Sequence, residues 1–218
     1  SSFGHALNSS ISKVAGKWRY YFEYGEESDT YDPNDLGFLY NNNSRYYSAG
    51  LSWNNFKPSR HFYKRSASLN WTHEELYKPQ RFSESYISWN LGGLLKRQMY
   101  MNLSGNVSPF GEVDHFESRH FGREVKFSPS TDIRWLISSD YSKVLAIDAS
   151  LSYKQYFGVS QNGFGGFLSP RVRVSDRMNV VWSSSIESLT NDYGFVKTLD
   201  DNFDGQIILG VRNRLIVE

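Results

Sequence analysis

The chain has 218 residues, and its 24 Lys and Arg residues nearly balance its 23 Asp and Glu residues, which leaves a formal net charge of +1. No basic run stands out, so the composition argues against a nucleic-acid partner. Cysteine is absent, which excludes disulfides and thiolate metal sites. The mean hydropathy is −0.55, and no stretch approaches the roughly 18 apolar residues of a membrane helix. A membrane β-barrel is compatible with that value, because its polar lumen face and its loops dilute the apolar lipid face.

Apolar and polar residues alternate along most of the chain. Successive side chains of a β-strand point to opposite faces, so this period of two predicts strands. By pattern alone the sequence contains about eleven such runs, which cover residues 3–11, 18–24, 47–53, 63–71, 87–91, 99–107, 131–137, 145–153, 168–174, 180–186 and 207–217.

The predicted hairpin over residues 131–156 shows the pattern most clearly. Ile133 and Trp135 carry the apolar phase of its first arm, and Ile147 and Leu151 carry that of its second. Each arm runs about 9–11 residues, the length that crosses a bilayer at a tilt of about 45°. A strand of a soluble sandwich is usually shorter, about 5–6 residues. The hairpin therefore favours a transmembrane β-sheet.

The connections between the runs alternate in length. Short ones are predicted at Ala15, Pro58, Lys96, Asp140 and Asp176, and long ones at Asp32, Lys78, Asp114, Asn162 and Asp192. Outer-membrane barrels combine short periplasmic turns with long extracellular loops. The alternation is the most specific indication of a barrel in the sequence, and it places the long loops outside.

Several segments resemble a Bacteroidetes outer-membrane family of unknown function. They are Gly16-Lys17-Trp18-Arg19-Tyr20, Tyr31-Asp32-Pro33-Asn34-Asp35-Leu36-Gly37-Phe38-Leu39, Asp114-His115-Phe116-Glu117-Ser118-Arg119, Pro170-Arg171-Val172-Arg173-Val174 and Asn191-Asp192-Tyr193-Gly194-Phe195-Val196. The resemblance implies an N-terminal carbohydrate-binding-module-like sandwich joined to a C-terminal barrel related to TonB-receptor barrels. Only the barrel part corresponds to this chain, and the resemblance supplies no catalytic residues.

The expected fold is all-β, an antiparallel up-and-down transmembrane β-barrel of which residues 1–218 are one fragment with about eleven strands. The chain opens without a charged n-region and an apolar core. Export to the outer membrane then requires that a leader was removed or that this is a piece of a longer chain. An odd strand count favours the second reading, because single-chain barrels mostly close with an even number.

Two loops hold enough acidic groups to raise the question of a metal. Pro33 breaks the alternating ligand pattern that a calcium loop around Asp32 needs. Cations among the possible ligands between Asp114 and His120 favour an ion-paired loop over a metal centre. No metal and no cofactor is therefore expected. Serines are so frequent in this chain that pairing one with a histidine is not a specific indication of a catalytic site. No enzyme activity is therefore expected either.

The six tryptophans fall in the apolar phase of their runs. They are Trp18, Trp53, Trp71, Trp89, Trp135 and Trp182. The phase favours lipid-facing or interfacial girdle positions, and the alternative is a set of carbohydrate platforms.

The expected function is a scaffold or partner-docking subunit of an assembly in the bacterial outer membrane. Its partners would be outer-membrane lipid and other outer-membrane proteins, and glycan handling stays open. Long loops on a rigid scaffold commonly carry binding. The candidate docking residues in those loops are Asp35, Phe38, Leu39, Asp114, His115, Phe116, Glu117 and Arg119. The alternatives are a diffusion channel or transporter, and a soluble carbohydrate-binding β-protein.

Overall fold

The computed structural model describes residues 3–32, 42–115, 123–198 and 207–218, and their strands form one antiparallel sheet of 14 strands. The strands are β1 (Ala6–Ser12), β2 (Trp18–Glu27), β3 (Ser44–Asn55), β4 (Phe62–Leu76), β5 (Arg81–Leu95), β6 (Tyr100–Ser108), β7 (Glu112–Asp114), β8 (Val125–Phe127), β9 (Ser130–Ser138), β10 (Leu145–Tyr156), β11 (Asn162–Ser175), β12 (Met178–Val181), β13 (Ser184–Thr198) and β14 (Ile207–Val217). The prediction of an all-β antiparallel fold is confirmed.

Eleven of the strands follow each other across the sheet in chain order. The order is β1-β2-β3-β4-β5-β6-β9-β10-β11-β13-β14, with β7, β8 and β12 attached beside it. The sheet is therefore an up-and-down meander. Within the described ranges β1 and β14 pair on one side only, so the sheet is not closed into a barrel. No helix in those ranges is long and apolar enough to cross a membrane.

One face of the sheet is apolar along rows that run across the strands. One row joins ten positions in register: Trp18, Trp53, Ala67, Leu91, Leu103, Trp135, Leu151, Gly166, Ile186 and Val217. The next row joins Tyr20, Leu51, Leu69, Trp89, Gly105, Ile133, Tyr153, Phe164, Ser188 and Leu215. We call this side the apolar face. The sequence alternation produces it, because each strand turns its apolar phase to the same side.

The opposite, polar face carries small hydrogen-bonding side chains. The row between the two apolar rows reads Arg19, Ser52, Ser68, Asn90, Ser104, Arg134, Ser152, Gly165 and Glu187. Asn90 and Asn102 exchange side-chain hydrogen bonds of 3.3 and 3.0 Å. The Tyr21 hydroxyl donates to Asn70 at 3.4 Å, across Gly50 of the intervening strand, where a side chain would collide with the tyrosine ring.

The sheet lacks an ordinary hydrophobic core. Among the hydrophobic residues that the structure describes, only Val125 and Ala146 are buried, at 3% and 2% exposure. Stability in this arrangement comes from the hydrogen-bonded strand ladders and from cross-strand side-chain pairs. An exposed apolar face of this extent needs an apolar medium or a partner to cover it.

Several connections differ from their prediction. The segments around Lys78 and Asn162, predicted as long loops, reduce to residues 77–80 and 157–161, because β4, β5, β10 and β11 are longer than their apolar runs. The strand β13 continues to Thr198 and so includes Asp192, where a long connection was predicted. Polar residues at these strand ends pair through the backbone, which a hydrophobic pattern cannot detect.

The long connection predicted around Asp114 also contains strand residues. Glu112 of β7 pairs with Glu84 of β5 and with Phe127 of β8. The short strands β7 and β8 thus continue the hairpin formed by β6 and β9 past a break that contains Gly111, whose φ is +71°. We call the end of the sheet that holds this extension the long-loop end, and the opposite end the short-turn end.

Candidate functional site

Three glutamates stand side by side on adjacent strands at the long-loop end. Glu74 of β4 pairs with Glu84 of β5, and Glu84 pairs with Glu112 of β7. We call these three residues the glutamate row. Like charges directly opposite each other in a sheet are destabilising. An arrangement that gathers three of them points to a site that receives positive charge or hydrogen-bond donors.

The glutamate row lies beyond the apolar rows, since the last apolar-face tryptophan of β4 is Trp71 and the last apolar-face isoleucine of β5 is Ile87. Burial, together with the negative charges of Glu74 and Glu112, raises the pKa of Glu84 to about 7. Burial also raises the pKa of Glu74, which the neighbouring His73 partly offsets. The pKa of Glu112 is raised by burial first and then by the charge of Asp114.

The row borders an open polar pocket of about 640 Å³. Carboxylates, hydroxyls and an ammonium group line it, with a few aromatic rings: Glu84, Tyr86, Asn106, Ser108, Gly111, Glu112, Asp114, Phe127, Ser128, Ser130, Asp132, Lys154 and Tyr156. The strands β5, β6, β7, β9 and β10 supply most of these residues, so a stiff sheet rather than a free loop positions them.

Two side-chain interactions lie within the lining of this pocket. The Asn106 amide donates to both carboxylate oxygens of Asp132, at 3.2 and 3.0 Å. The Lys154 ammonium lies 4.8 Å from the centre of the Tyr156 ring, a cation–π distance. The lining therefore holds the Lys154 ammonium group together with the carboxyl groups of Glu84, Glu112, Asp114 and Asp132.

Of the predicted docking residues, the structure describes Asp114 and His115. Asp114 lines the pocket. The His115 side chain is 9% exposed, its Nε2 donates to the carbonyl oxygen of Phe82 at 3.0 Å, and its Nδ1 lies 3.7 Å from Glu124. Glu124 also meets Lys126 at 3.1 Å. His115 thus joins the β7–β8 extension to β5.

The other predicted docking residues lie outside the residues that the structure describes. They are Asp35, Phe38, Leu39, Phe116, Glu117 and Arg119. The sequence did not single out Glu74, Glu84 or Glu112. Their juxtaposition depends on strand register and on the extension of β7, and the only sign in the sequence is that each glutamate follows or precedes an apolar run by a few residues.

A second charged cluster sits at the long-loop end of the apolar face. Arg45 contacts Glu26 at 3.3 Å and Glu75 at 3.1 Å, and its guanidinium lies 5.1 Å from the Tyr77 ring centre. His5 lies 3.0 Å from Glu26. These groups satisfy each other, so the cluster joins β2, β3, β4 and the residue before β1, and it leaves the polar pocket as the better candidate site.

In the ranges that the structure describes, no group of three or more histidine, aspartate or glutamate side chains is arranged to hold a metal ion. The glutamate row fits this finding, because its members stand in line along the sheet rather than around one point.

Comparison with known proteins identifies a family and no function. A family model described as a domain of unknown function, DUF5916, matches residues 1–218. No curated protein and no solved structure matches the chain significantly.

Proposed function

Since the chain belongs to the DUF5916 family of domains of unknown function, we propose its role from its geometry. It forms the wall of an antiparallel transmembrane β-barrel in a bacterial outer membrane, of the Bacteroidetes kind that the sequence resembles. There it acts as a scaffold and docking subunit rather than as an enzyme. The glutamate row at the long-loop end is the docking site.

The exposed apolar face is the observation that carries this proposal. Mid-strand leucines on it are about half exposed: Leu69 at 52%, Leu91 at 51% and Leu151 at 50%. Contiguous apolar patches on soluble monomers rarely exceed a few hundred Å², and these rows cross ten strands. In hydrocarbon such an apolar face carries no free-energy penalty of exposure, and the hydrogen bonds between strands satisfy the backbone groups.

The apolar band also shifts along the strands in the way that tilted strands require. On the long-loop side, the row of Phe22, Trp71 and Val107 is apolar from β2 to β6, and it becomes polar from β9 onwards, as at Gln155 and Asn162.

On the short-turn side the change runs the other way. The row that begins with the polar Asn55 and Arg65 continues into Met101, Ile137 and Leu168. A band of constant height crosses tilted strands obliquely, as in a barrel with shear.

Alkaline extraction of membranes from cells that produce the protein tests the membrane part of the proposal. An integral barrel stays in the sedimented membranes, whereas a soluble or peripheral β-protein is released. Release of all the protein at high pH would contradict the membrane assignment. An outer-membrane lipoprotein serves as the control for retention in the membranes, and a periplasmic protein serves as the control for release.

The docking part predicts affinity for a cationic group of another outer-membrane component. A hexalysine peptide, titrated onto the detergent-solubilised protein by isothermal calorimetry, is the probe. Replacing the glutamate row by Glu74→Gln, Glu84→Gln and Glu112→Gln should weaken binding by about tenfold or more, since each lost charge pair contributes up to about 1 kcal/mol. The matched control is Asp140→Asn, Asp176→Asn and Glu187→Gln, which removes the same charge elsewhere.

Two results would redirect the docking proposal. Equal hexalysine affinity in the two triple variants would remove the glutamate row from the site. Binding of neutral maltohexaose in place of hexalysine, lost in the glutamate-row variant, would make the pocket a glycan site, since carboxylates accept hydrogen bonds from sugar hydroxyls.

A diffusion channel is the second candidate, and the small polar residues of the polar face favour it. Ser52, Ser68, Asn90 and Ser104 follow each other in one row, and these small side chains leave room for water beside the charges of Arg134 and Glu187. Planar-bilayer recordings test this function. Steps of steady conductance from the purified protein would support a channel. Bilayers that contain the inserted protein but show no conductance would favour the scaffold function.

A further inference from the structure

In the first six strands, the two ends of the sheet carry opposite charge. The segments at the short-turn end, residues 12–19, 54–66 and 94–100, contain lysine and arginine but neither aspartate nor glutamate. The long-loop end holds the glutamate row and most other carboxylates of those strands, such as Glu23, Glu27 and Asp29. The small net charge of the chain conceals this separation.

Six cations lie on the two neighbouring turns β3–β4 and β5–β6 or at the start of β4. We call them the basic rim: Lys57, Arg60, Lys64, Arg65, Lys96 and Arg97. The turns touch, because the backbone N–H of Lys96 donates to the carbonyl oxygen of His61 at 2.9 Å. Five of the six residues are exposed, and Arg65 is half-buried.

The basic rim has no internal counter-charge. Ion pairs among the described residues join other cations, including Arg45, Lys78 and Arg212, and none involves a member of the rim. The buried Nε of Arg65 lacks a hydrogen-bond partner there. A cluster of like charges without partners repels itself, so it favours an anionic occupant.

The rim borders the apolar face directly. Arg65 lies on that face, in the phase of Ala67 and Leu69, and its guanidinium is 5.9 Å from the centre of the Trp53 ring. Trp53 pairs in register with Trp18. Tryptophans with arginine and lysine just beyond them are typical of the level where hydrocarbon meets lipid headgroups.

We infer that the basic rim binds the phosphate groups of anionic phospholipids in the leaflet at the short-turn end. This inference rests on the proposed membrane function. An acidic protein is the less favoured occupant because Arg65 and Trp53 belong to the face that lipid would cover. Phosphate is a good acceptor for arginine and lysine donors, and each cation near an anionic leaflet contributes to binding.

The test uses tryptophan fluorescence quenched by lipids with brominated acyl chains. One variant keeps Trp53 and replaces the other five tryptophans by Phe, and a second keeps Trp71, which lies at the opposite edge of the apolar band. Each is reconstituted in phosphatidylcholine vesicles with about one-fifth of either brominated phosphatidylglycerol or brominated phosphatidylcholine. Phosphatidylglycerol should associate about threefold or more strongly than phosphatidylcholine at Trp53. At Trp71 the two lipids should associate equally.

A charge variant with a matched control assigns the preference to the rim. In the Trp53 background, Lys57→Gln, Arg60→Gln, Lys96→Gln and Arg97→Gln should abolish the preference for phosphatidylglycerol. The control Lys78→Gln, Arg81→Gln, Lys126→Gln and Lys197→Gln removes equal charge at the long-loop end and should retain it. Raising the salt from about 0.05 M to about 0.5 M should reduce the preference, since the Debye length shortens.

The outcomes separate the inference from the function on which it rests. If both lipids quench Trp53 equally, the basic rim does not select anionic lipid, while the membrane assignment stands. If neither lipid quenches either tryptophan, the protein is outside the bilayer and both proposals fail. Native mass spectrometry of the wild-type protein from micelles with equal amounts of both lipids gives a second reading, in which bound phosphatidylglycerol should predominate.

Discussion

At the scale of single residues, Glu84 makes folding sensitive to pH. Its pKa is raised to about 7, by burial first and then by Glu74 and Glu112, from an ordinary value of 4.5. The folded protein therefore binds this proton more tightly than the unfolded chain does. The contribution of Glu84 to stability is fully present below about pH 4.5 and is lost as the pH rises through about 7.

We expect Glu84→Gln to flatten this pH dependence. The difference between the midpoints of urea unfolding at pH 5 and pH 8 should be smaller in the variant than in the wild type, because the amide does not titrate. Glu187→Gln, an exposed position on the same face, should preserve the wild-type difference. An unchanged difference in Glu84→Gln would show that another group controls it.

Gly105 is a second residue whose identity the packing determines. It pairs with Trp89 on the apolar face, and a methyl group there would overlap the carbonyl oxygen of Asp132 and lie 2.9 Å from the Trp89 ring. Gly105→Ala should lower the free energy of unfolding by about 1–3 kcal/mol. Gly194→Ala is the matched control, since nothing lies within 4 Å of its new methyl group. Chemical denaturation of the two variants in detergent should differ accordingly.

At the scale of the strand, neighbouring positions on β4 should differ in their tolerance of charge. Leu69 lies on the apolar face at 52% exposure, and Ser68 points to the polar face. If lipid covers the apolar face, Leu69→Arg should destabilise the protein by about 2–4 kcal/mol near the bilayer midplane. Ser68→Arg should cost well under half of that. Equal costs, measured by guanidinium unfolding in vesicles, would mean that lipid does not cover the apolar face.

The strands were predictable from the sequence wherever one face is apolar. The run from Leu145 to Tyr153 and the run from Trp18 to Tyr24 both lie in strands of the structure, because the alternation itself specifies which side packs. The strand ends were not predictable. Residues such as Asn191 and Asp192 of β13 resemble a loop in composition, but β14 and a register shift between Leu189 and Asp192 keep them in the sheet.

The candidate site was less predictable than the strands. Asp114 was singled out because acidic residues are dense around it, and it does line the pocket. The sequence pattern does not predict the glutamate row, because Glu74 and Glu84 lie close in the sequence but Glu112 reaches them only after the break between β6 and β7. Register across three strands depends on turn geometry and bulges, and single-residue patterns do not reveal it.

At the scale of the whole molecule, the charge separation and the apolar face together predict how the protein is oriented in a membrane. The basic rim would meet one leaflet, and the glutamate row would project from the other side, where it is accessible to a partner. In outer-membrane barrels the short turns face the periplasm and the longer connections face outward. The glutamate row should accordingly lie on the cell surface and the basic rim at the periplasmic leaflet.

Single cysteines can test this orientation without background, because the chain has none of its own. Lys78→Cys marks the turn between β4 and β5 at the long-loop end, where the lysine side chain is 71% exposed. Lys143→Cys marks the turn between β9 and β10 at the short-turn end and is also exposed. Each substitution removes the same charge, so neither biases insertion over the other.

A membrane-impermeant maleimide added to intact cells should label Lys78→Cys alone, and both should react after the outer membrane is permeabilised. Labelling of Lys143→Cys alone would reverse the orientation and place the docking site in the periplasm, while equal labelling in intact cells would mean that no membrane separates the two ends.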